Sequence, residues 1–314
     1  MNFKEQFDQL FLITEEMISG HGEDSFFCAQ NNHSAIVSVF DGCGGLGSMT
    51  YPGFQGHSGA YIASRVVSGA VHDWYHDTQK VQWRNADQLL NSLHACIMEG
   101  YAVCTPYAEN NARIRGSMVR DFPTTAAIAL AQKHGNTVTL HVIWAGDSRV
   151  YLMDADGLAQ LTEDDVAGQN ALSNLSSDGA LTNVLSSDGK FDLHYKRLEI
   201  SRPTTIFAAT DGCFGYIPTP MEFEAMLLRT LLEASNPIDH QNRLKEEIHA
   251  VTGDDFALGH MGLFYGSFAR MQQSLLPRLE ALDRLFLQPL LRDRSDHTIQ
   301  QLWNQYRQNY ERFL

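Results

Sequence analysis

Apolar and polar positions between Ser25 and Phe264 follow the short periods of strands and helices. The segment Ser34–Phe40 (SAIVSVF) is apolar, β-branched and short, which predicts a buried strand. Two further apolar runs, 125–132 and 137–145, are separated by the polar linker KHGN and predict a hairpin. The same pattern predicts strands at 25–29, 149–154, 158–161, 205–210 and 256–264.

Helical spacing of apolar residues predicts four helices, at 59–75, 86 to about 113, 220–234 and 239–250. The strands come in consecutive hairpin-like groups and do not alternate strictly with helices. This order favours an α+β domain with antiparallel sheets flanked by helices over a doubly wound parallel sheet.

Two segments differ in character from the rest of the chain. Residues 165–192 are rich in Ser, Asn, Asp and Gly, which predicts a surface flap that borders an active site. Residues 268–314 carry Leu and aromatic residues at helical spacing, with breaks or kinks expected at Pro277 and Pro289. We therefore expect a main domain over 1–267 and a helical extension over 268–314. The sequence leaves open whether the extension packs on the domain or binds a protein partner.

Charge narrows the classes of function. The 314 residues include 23 basic and 37 acidic side chains, for a formal net charge of −14. Nucleic acids and anionic membranes require a basic face, so neither is an expected partner. No apolar run is long enough to span a membrane, and the first residues lack the basic start of a signal peptide, so a cytoplasmic location is expected. The five cysteines contain no Cys-x-x-Cys pair and predict buried thiols.

The candidate chemistry lies in acids at the ends of predicted strands. Asp41 and Asp211 each begin an Asp-Gly-Cys triplet after a strand, and Asp147 follows a third strand. The pairs Glu23-Asp24 and Asp254-Asp255 precede strands. A single Asp-Gly pair is ordinarily a turn. Together, however, crowded carboxylates repel one another unless cations neutralise them, and hard divalent ions suit an all-oxygen site. Two such ions can bind a phosphate group.

In their order along the chain, these residues resemble the metal-dependent type 2C (PPM) family of protein serine/threonine phosphatases, and bacterial members in particular. The resemblance covers roughly residues 20–264 and includes more than the acids. The matching segments are Glu23-Asp24, the run VFDGCGG at 39–45, Gly59 with Ala63-Ser64, Thr124-Thr125, the run GDSRVYL at 146–152, the run LTED at 161–164, Thr210-Asp211-Gly212, and Asp254-Asp255.

The resemblance implies a central sandwich of two antiparallel β-sheets, with helices on both sides and a C-terminal helical appendix. It also implies a phosphatase for phosphoserine and phosphothreonine, in which hydroxide at two Mg²⁺ or Mn²⁺ ions attacks phosphorus directly. The partner would be a phosphorylated protein, in a system with a cognate Ser/Thr kinase. The alternative is a catalytically weak or inactive phosphatase-fold protein that regulates or binds a partner.

The resemblance assigns roles to seven residues of this sequence: Glu23, Asp24, Asp41, Gly42, Asp147, Asp211 and Asp254. Asp41 would bridge the two metals, with the Gly42 carbonyl on one of them, and Asp211 and Asp254 would complete the first metal. Glu23 and Asp24 would hold metal-bound waters and orient the nucleophile. The catalytic set would thus be Asp24, Asp41 and Asp211. Asp147, with Asp211, would offer a third, weaker metal position.

Some positions depart from the family pattern. Ser19 stands where an Arg usually binds the substrate phosphate, so a planar bidentate donor is missing there. His21 and Arg65 are the candidates to replace it, whereas Arg149 is expected to be structural. Cys43 replaces a His that some members carry as a proton donor. Cys43 and Cys213 are expected to lie near the acids, which would raise their pKa values and lower their reactivity.

Two other enzyme classes fit less well. The glycines at 42, 44 and 47 match a dinucleotide fingerprint, but Pro52 and Gly53 disfavour the helix that this motif needs. A serine hydrolase is not expected, because no Gly-x-Ser-x-Gly motif is present. The insert SMTYPGFQGHS after Gly47 is expected to reshape one rim of the cleft.

Overall fold

Two five-stranded antiparallel sheets packed face to face form the centre of the protein. The computed structural model describes residues 7–78, 81, 83, 85–108, 121–167 and 180–314. The first sheet has the strand order β1-β12-β11-β8-β9, and the second has the order β10-β7-β6-β3-β2. A short ribbon, β4-β5, lies apart from both sheets. This architecture confirms the predicted α+β sandwich with flanking helices and a C-terminal helical segment.

The strands are β1 (Phe7–Glu15), β2 (Ser25–Gln30), β3 (Ser34–Phe40), β4 (Thr50–Tyr51), β5 (His57–Ser58), β6 (Ala126–His134), β7 (Thr137–Ala145), β8 (Arg149–Asp154), β9 (Gly157–Gln160), β10 (His194–Ile200), β11 (Thr204–Ala209) and β12 (Phe256–Leu263). The helices are α1 (Gly59–Thr78), α2 (Ala86–Ala102), α3 (Thr105–Ala108), α4 (Pro220–Glu233), α5 (Pro237–Val251), α6 (Phe268–Leu282), α7 (Gln288–Arg292) and α8 (Asp296–Tyr310).

Three hydrophobic cores hold these layers together. The core between the sheets consists mainly of Ala and Val side chains, which allow the two sheets to approach closely; at Gly259, for example, a Cβ would lie only 2.9 Å from Val37. The second sheet packs its outer face on α1 and α2. The outer face of the first sheet is covered by α4, α5 and the C-terminal helices.

The C-terminal helices share the core of the first sheet. The buried aromatic residues of this C-terminal segment pack in the same cluster as Tyr151, Phe207 and Phe223. These C-terminal residues are Phe286, Trp303, Tyr306 and Tyr310. Pro277 lies inside α6 without interrupting it, and a π-helical turn over Asp283–Leu287 separates α6 from α7, which has Pro289 near its start. The boundary at 267/268 stays a prediction about domain organisation.

The described elements depart from the predicted ones in a few places. Strands β1, β4, β5 and β10 were not predicted: β1 has large apolar residues on both faces, β4 and β5 have only two residues each, and β10 (HYKRLEI) is a mostly polar edge strand. The helix predicted from residue 86 ends at Ala102, and Pro106 lacks the N–H that a continuous helix would need; residues 109–113 of that prediction lie outside the described residues. The predicted flap is described only in part, because 168–179 fall outside too. Among the described helices, none is long and apolar enough to cross a membrane.

Candidate metal centre and active site

The antiparallel pairing brings the predicted acids to one edge of the sandwich. Asp24 precedes β2 and Asp41 follows β3, and these strands pair with Ser25 opposite Phe40. In the other sheet, Asp211 follows β11, and the end of β11 pairs with the starts of β8 and β12. Asp147 and Asp254 lie just before those two strands. Strand polarity therefore collects residues that are up to 231 positions apart, as Glu23 and Asp254 are.

Two threonines fix the loop that carries Asp41. The Thr124 hydroxyl donates to the Asp41 carbonyl at 2.7 Å, and the Asp41 N–H donates to the Thr125 hydroxyl oxygen at 3.1 Å. The next residue, Gly42, packs so tightly that a Cβ would lie 2.6 Å from the Ala60 carbonyl oxygen. Only glycine fits this position, and its place beside α1 fixes the backbone on which Asp41 stands.

Asp24 and Glu23 are held from three directions. The Thr210 hydroxyl donates to an Asp24 carboxylate oxygen at 2.7 Å. The Glu23 N–H donates to Asp255 at 2.8 Å, and the Ser58 hydroxyl of the insert donates to the Glu23 carboxylate. The insert therefore contacts the Glu23 carboxylate through a side chain.

Asp147 lies in the turn between β7 and β8. Gly146 adopts a φ of +94°, and a Cβ there would lie 2.7 Å from Thr125, so the turn requires glycine. The neighbouring Ser148 hydroxyl is 2.6 Å from that of Thr125, which links this turn to the Asp41 loop. One carboxylate oxygen of Asp147, Oδ1, is buried without a hydrogen-bond partner. A buried acceptor of this kind is suited to a cation.

Asp211 and Asp254 complete the set but differ in setting. Asp211 opens a 3₁₀ turn, Asp211–Cys213, and its backbone carbonyl accepts from the N–H groups of Phe214 and Gly215. Asp254 is exposed, and its carboxylate accepts the N–H of Asp255 at 2.8 Å. Asp254 thus stands at the rim of the acidic cluster, which we define as Glu23, Asp24, Asp41, Asp147, Asp211 and Asp254.

The cluster is electrostatically strained. Burial, followed by the negative charges of Asp211, Asp24, Asp147 and Asp254, holds the pKa of Asp41 well above its usual value. Burial is also the largest cause at Asp24, whose pKa is raised well above normal although Thr210 donates to it. At Asp147, burial and the charge of Asp211 raise the pKa to about 8. Crowded carboxylates of this kind gain free energy when cations neutralise them.

The residues present fit divalent ions by their chemistry. They supply carboxylate and backbone oxygens, which are the ligands of Mg²⁺ and Mn²⁺. Within the described ranges, no three Asp, Glu, His or Cys side chains stand ready around one ion position. The fit therefore rests on the crowding of the acids and on the unpartnered Asp147 oxygen.

Cys43, Cys104 and Cys213 are buried as predicted, whereas Cys28 and Cys96 are partly exposed. Cys43 and Cys213 are buried, and burial together with nearby carboxylates raises both pKa values well above normal. The principal charge acting on Cys43 is Asp41, and that on Cys213 is Asp24. Both thiols are therefore poor nucleophiles at neutral pH.

The candidates for binding phosphate are placed differently. Arg65 donates to the carbonyls of Gly22 at 2.8 Å and Glu23 at 3.2 Å, and its side chain, 30% exposed, reaches a pocket of about 440 Å³ that Ser19 and Asp24 also line. His21 is exposed, and its backbone N–H donates to Ile18. Arg149 is buried and forms a bidentate ion pair with Asp164, at 2.9 and 2.6 Å, which agrees with a structural role.

Asp255 is the site residue that sequence reasoning missed. Its carboxylate accepts the N–H groups of Met17 and Glu23, both at 2.8 Å, and so fastens the β1–β2 connection to the start of β12. The sequence shows two adjacent acids, Asp254 and Asp255, but it does not indicate which of the two carboxylates faces which loop. The same limit applies to Ser58.

Comparison with known proteins agrees with this fold. Residues 20–249 match the sequence model of the family described as Protein phosphatase 2C. The chain therefore belongs to the protein phosphatase 2C family, and the predicted resemblance is confirmed. Asp254, Asp255 and the C-terminal helices lie beyond the matched residues.

Individual relatives are distant but similar in fold. The serine/threonine phosphatase stp of Listeria monocytogenes is 25% identical over 232 residues, which are 70% of this chain and 83% of that protein. The crystal structure of the Mycobacterium tuberculosis serine/threonine phosphatase PstP/Ppp is 19% identical, with a TM-score of 0.55 over 82% of this chain and 98% of that one. The catalytic domain of PstP in complex with two manganese ions is 17% identical, with a TM-score of 0.50 over 82% of this chain and 99% of that one.

Proposed function

We propose that this protein is a Mg²⁺- or Mn²⁺-dependent phosphatase that hydrolyses phosphoserine and phosphothreonine in proteins. The observation that carries the proposal is the acidic cluster, in which the four charges acting most strongly on Asp41 are all negative. The family membership and the manganese ions of the PstP structure support the same reading.

Each acid has a proposed place toward the ions. Asp41 and the Gly42 carbonyl, with Asp211 and Asp254, would hold two ions, and Asp147 with Asp211 would hold a third, weaker one. When bound, such ions lower the pKa of water and neutralise the charge of a phosphate group. Asp24, fixed by Thr210 at 2.7 Å, and Glu23, fixed by Ser58, would orient water beside the substrate phosphate. Both would remain acceptors of hydrogen bonds from that water.

The test is hydrolysis of a phosphothreonine peptide and of p-nitrophenyl phosphate with Mn²⁺, Mg²⁺ or EDTA. Phosphate release with either metal and none with EDTA is the expected result. Activity that persists in EDTA would remove the metal from the proposal. Absence of activity with every metal, combined with tight binding of a phosphopeptide, would favour the regulatory alternative.

We propose that Arg65 donates hydrogen bonds to the substrate phosphate, in place of the Arg that is usual at the position of Ser19. His21 is the second candidate for this role. Arg65 already donates to three backbone carbonyls and to the Ser64 hydroxyl, so it has less capacity left for a phosphate oxygen than a free guanidinium has. Ser19 is exposed and lines the same pocket as Arg65, so an arginine introduced at residue 19 would face that pocket. Such a variant tests whether a guanidinium in this pocket improves the binding of phosphate.

Ser19→Arg is expected to lower KM for a phosphothreonine peptide by about tenfold, because a charge-assisted hydrogen bond contributes roughly 1.5–3 kcal/mol. Steady-state kinetics at fixed Mn²⁺ measures the change. The matched control is Ile18→Arg, which adds the same charge at an adjacent residue that is 68% exposed and absent from the pocket lining. Equal effects of the two variants would mean that only overall charge matters.

A further inference from the structure

The C-terminal helix α8 reaches toward the metal centre through buried polar groups. We propose that α8 positions the Asp147 turn, and with it the weaker metal position, through a chain of hydrogen bonds that begins at Tyr310. This inference rests on the proposed function, since it concerns the metal affinity of the same site. The extension that contains α8 lies beyond the residues matched by the family.

The first contacts of this chain are between side chains with almost no exposure. The Tyr310 hydroxyl donates to the Gln160 side-chain oxygen at 3.0 Å. The Gln160 amide nitrogen then donates to the Thr162 carbonyl at 2.7 Å and to Asp164 at 3.2 Å. Tyr310 is 1% exposed and Gln160 is 2% exposed, so water cannot readily replace either partner. The Tyr310 hydroxyl thus fixes which way the Gln160 amide points.

The next contacts lead to the turn itself. Asp164 accepts two hydrogen bonds from the Arg149 guanidinium, which also donates to the Tyr151 hydroxyl at 3.2 Å and lies 4.2 Å above the ring of Phe214. Arg149 is two residues after Asp147, and Phe214 directly follows the turn that Asp211 opens. A displacement of Asp164 would therefore be transmitted to the backbone on both sides of the proposed third metal position.

A second set of bonds ties the same segment to the turn. Asp165 accepts the Gly146 N–H at 2.9 Å, and its own N–H donates to the Gly146 carbonyl at 3.0 Å. The Thr162 hydroxyl oxygen accepts the Val150 N–H at 3.2 Å. Residues 160–165 thus hold the Asp147 turn in place through hydrogen bonds, and α8 is bonded to this segment at Gln160.

Helix α8 provides its own control. Tyr306, one helical turn before Tyr310, is equally buried at 2% exposure, and its hydroxyl donates to Glu224 at 2.7 Å. Glu224 bonds Arg278 and the Leu158 N–H. These bonds involve neither Asp164 nor Arg149, and they meet β9 two residues before Gln160. Tyr306→Phe and Tyr310→Phe each remove one buried hydroxyl from the same helix, but only the second breaks the chain to Asp147.

The experiment measures Mn²⁺ binding by calorimetry and amide hydrogen exchange of residues 146–152, both on the full chain. Tyr310→Phe is expected to weaken the lower-affinity Mn²⁺ binding about fivefold and to speed exchange of that segment without metal, because coupling through packed polar groups has this size. Tyr306→Phe should leave both readouts near wild type. In a Gln160→Leu background, Tyr310→Phe should have a smaller effect, since only the contact through Tyr151 to Arg149 is then left to lose.

Two results would overturn the proposal: equal changes in both tyrosine variants, which indicate general loosening of the extension, or no change in Tyr310→Phe. The exchange measurement needs neither metal nor activity. If the wild-type protein shows no metal-dependent hydrolysis while exchange still separates the two variants, the proposed function fails and the positioning of the turn stands.

Discussion

Asp41→Asn is expected to lower kcat/KM on a phosphothreonine peptide by on the order of a thousandfold, because each 1.36 kcal/mol of lost transition-state stabilisation is tenfold in rate and metal ligation supplies several kcal/mol. Asn keeps the shape of the side chain and leaves intact the backbone bonds to Thr124 and Thr125. The loss would therefore report on the carboxylate charge and not on the loop.

Stability separates this result from misfolding. In EDTA, Asp41→Asn should unfold at the same temperature as wild type or higher, because one of several mutually repelling charges is gone. With Mn²⁺, wild type should gain stability, by about 2.7 kcal/mol at a hundredfold its Kd, and the variant should gain little of it. Thermal unfolding with and without metal measures both.

The control for this prediction is Asp156→Asn, which removes one negative charge from an exposed residue paired with Arg202. It should change neither kcat/KM nor the effect of Mn²⁺ by a measurable amount. If Asp41→Asn kept most of the activity, the assignment of Asp41 to the metals would be wrong.

Arg278→Leu is expected to destabilise the whole domain by about 3 to 5 kcal/mol, because it leaves the carboxylate of Glu224 buried without its charged partner. Glu224 is fully buried on α4, and Arg278 of α6 binds both of its oxygens at 2.7 Å. Chemical denaturation followed by tryptophan fluorescence measures the loss.

Deletion of the chain after Phe268 should go further and prevent folding, since it also uncovers the core that Trp303 and Tyr310 fill.

Arg294→Leu is the matched control for Arg278→Leu. It also removes an ion pair between the extension and α4, here with Glu222 at 2.9 Å, but Arg294 is 50% exposed. Exposed pairs contribute between zero and about 1 kcal/mol, so little change is expected. Similar losses in the two variants, or a truncated chain that folds and assembles normally, would contradict an integral role for the extension.

Much of the fold could be predicted from local pattern. Apolar runs predicted β3, β7 and β8 with the bounds that the structure shows, because burial on both faces leaves a continuous apolar signal. This apolar signal is weak in the polar edge strand β10, which was therefore not predicted. The acids proposed for the site could be placed for a related reason: residues next to the ends of paired strands lie at the same end of a sheet.

The partners of those acids could not be listed in the same way. Thr210 reaches Asp24 across 186 positions, and Asp255 reaches Glu23 across 232, and neither contact has a periodic signal. Likewise, nothing local joins Ser19 to Arg65 in one pocket. Such contacts depend on how the two sheets and their loops pack.

The sequence by itself determined most of the strands, the order of the family's motifs and the position of each acid next to a strand end. Only the tertiary structure decided how strongly those acids act on one another and which hydroxyl groups fix them. It also decided that the C-terminal extension shares a core with the first sheet and that Tyr310 bonds Gln160 there. The physical reason is range. Periodicity and turn chemistry are properties of neighbouring residues, whereas burial, pKa shifts and hydrogen-bonded chains arise from segments that meet only in the folded protein.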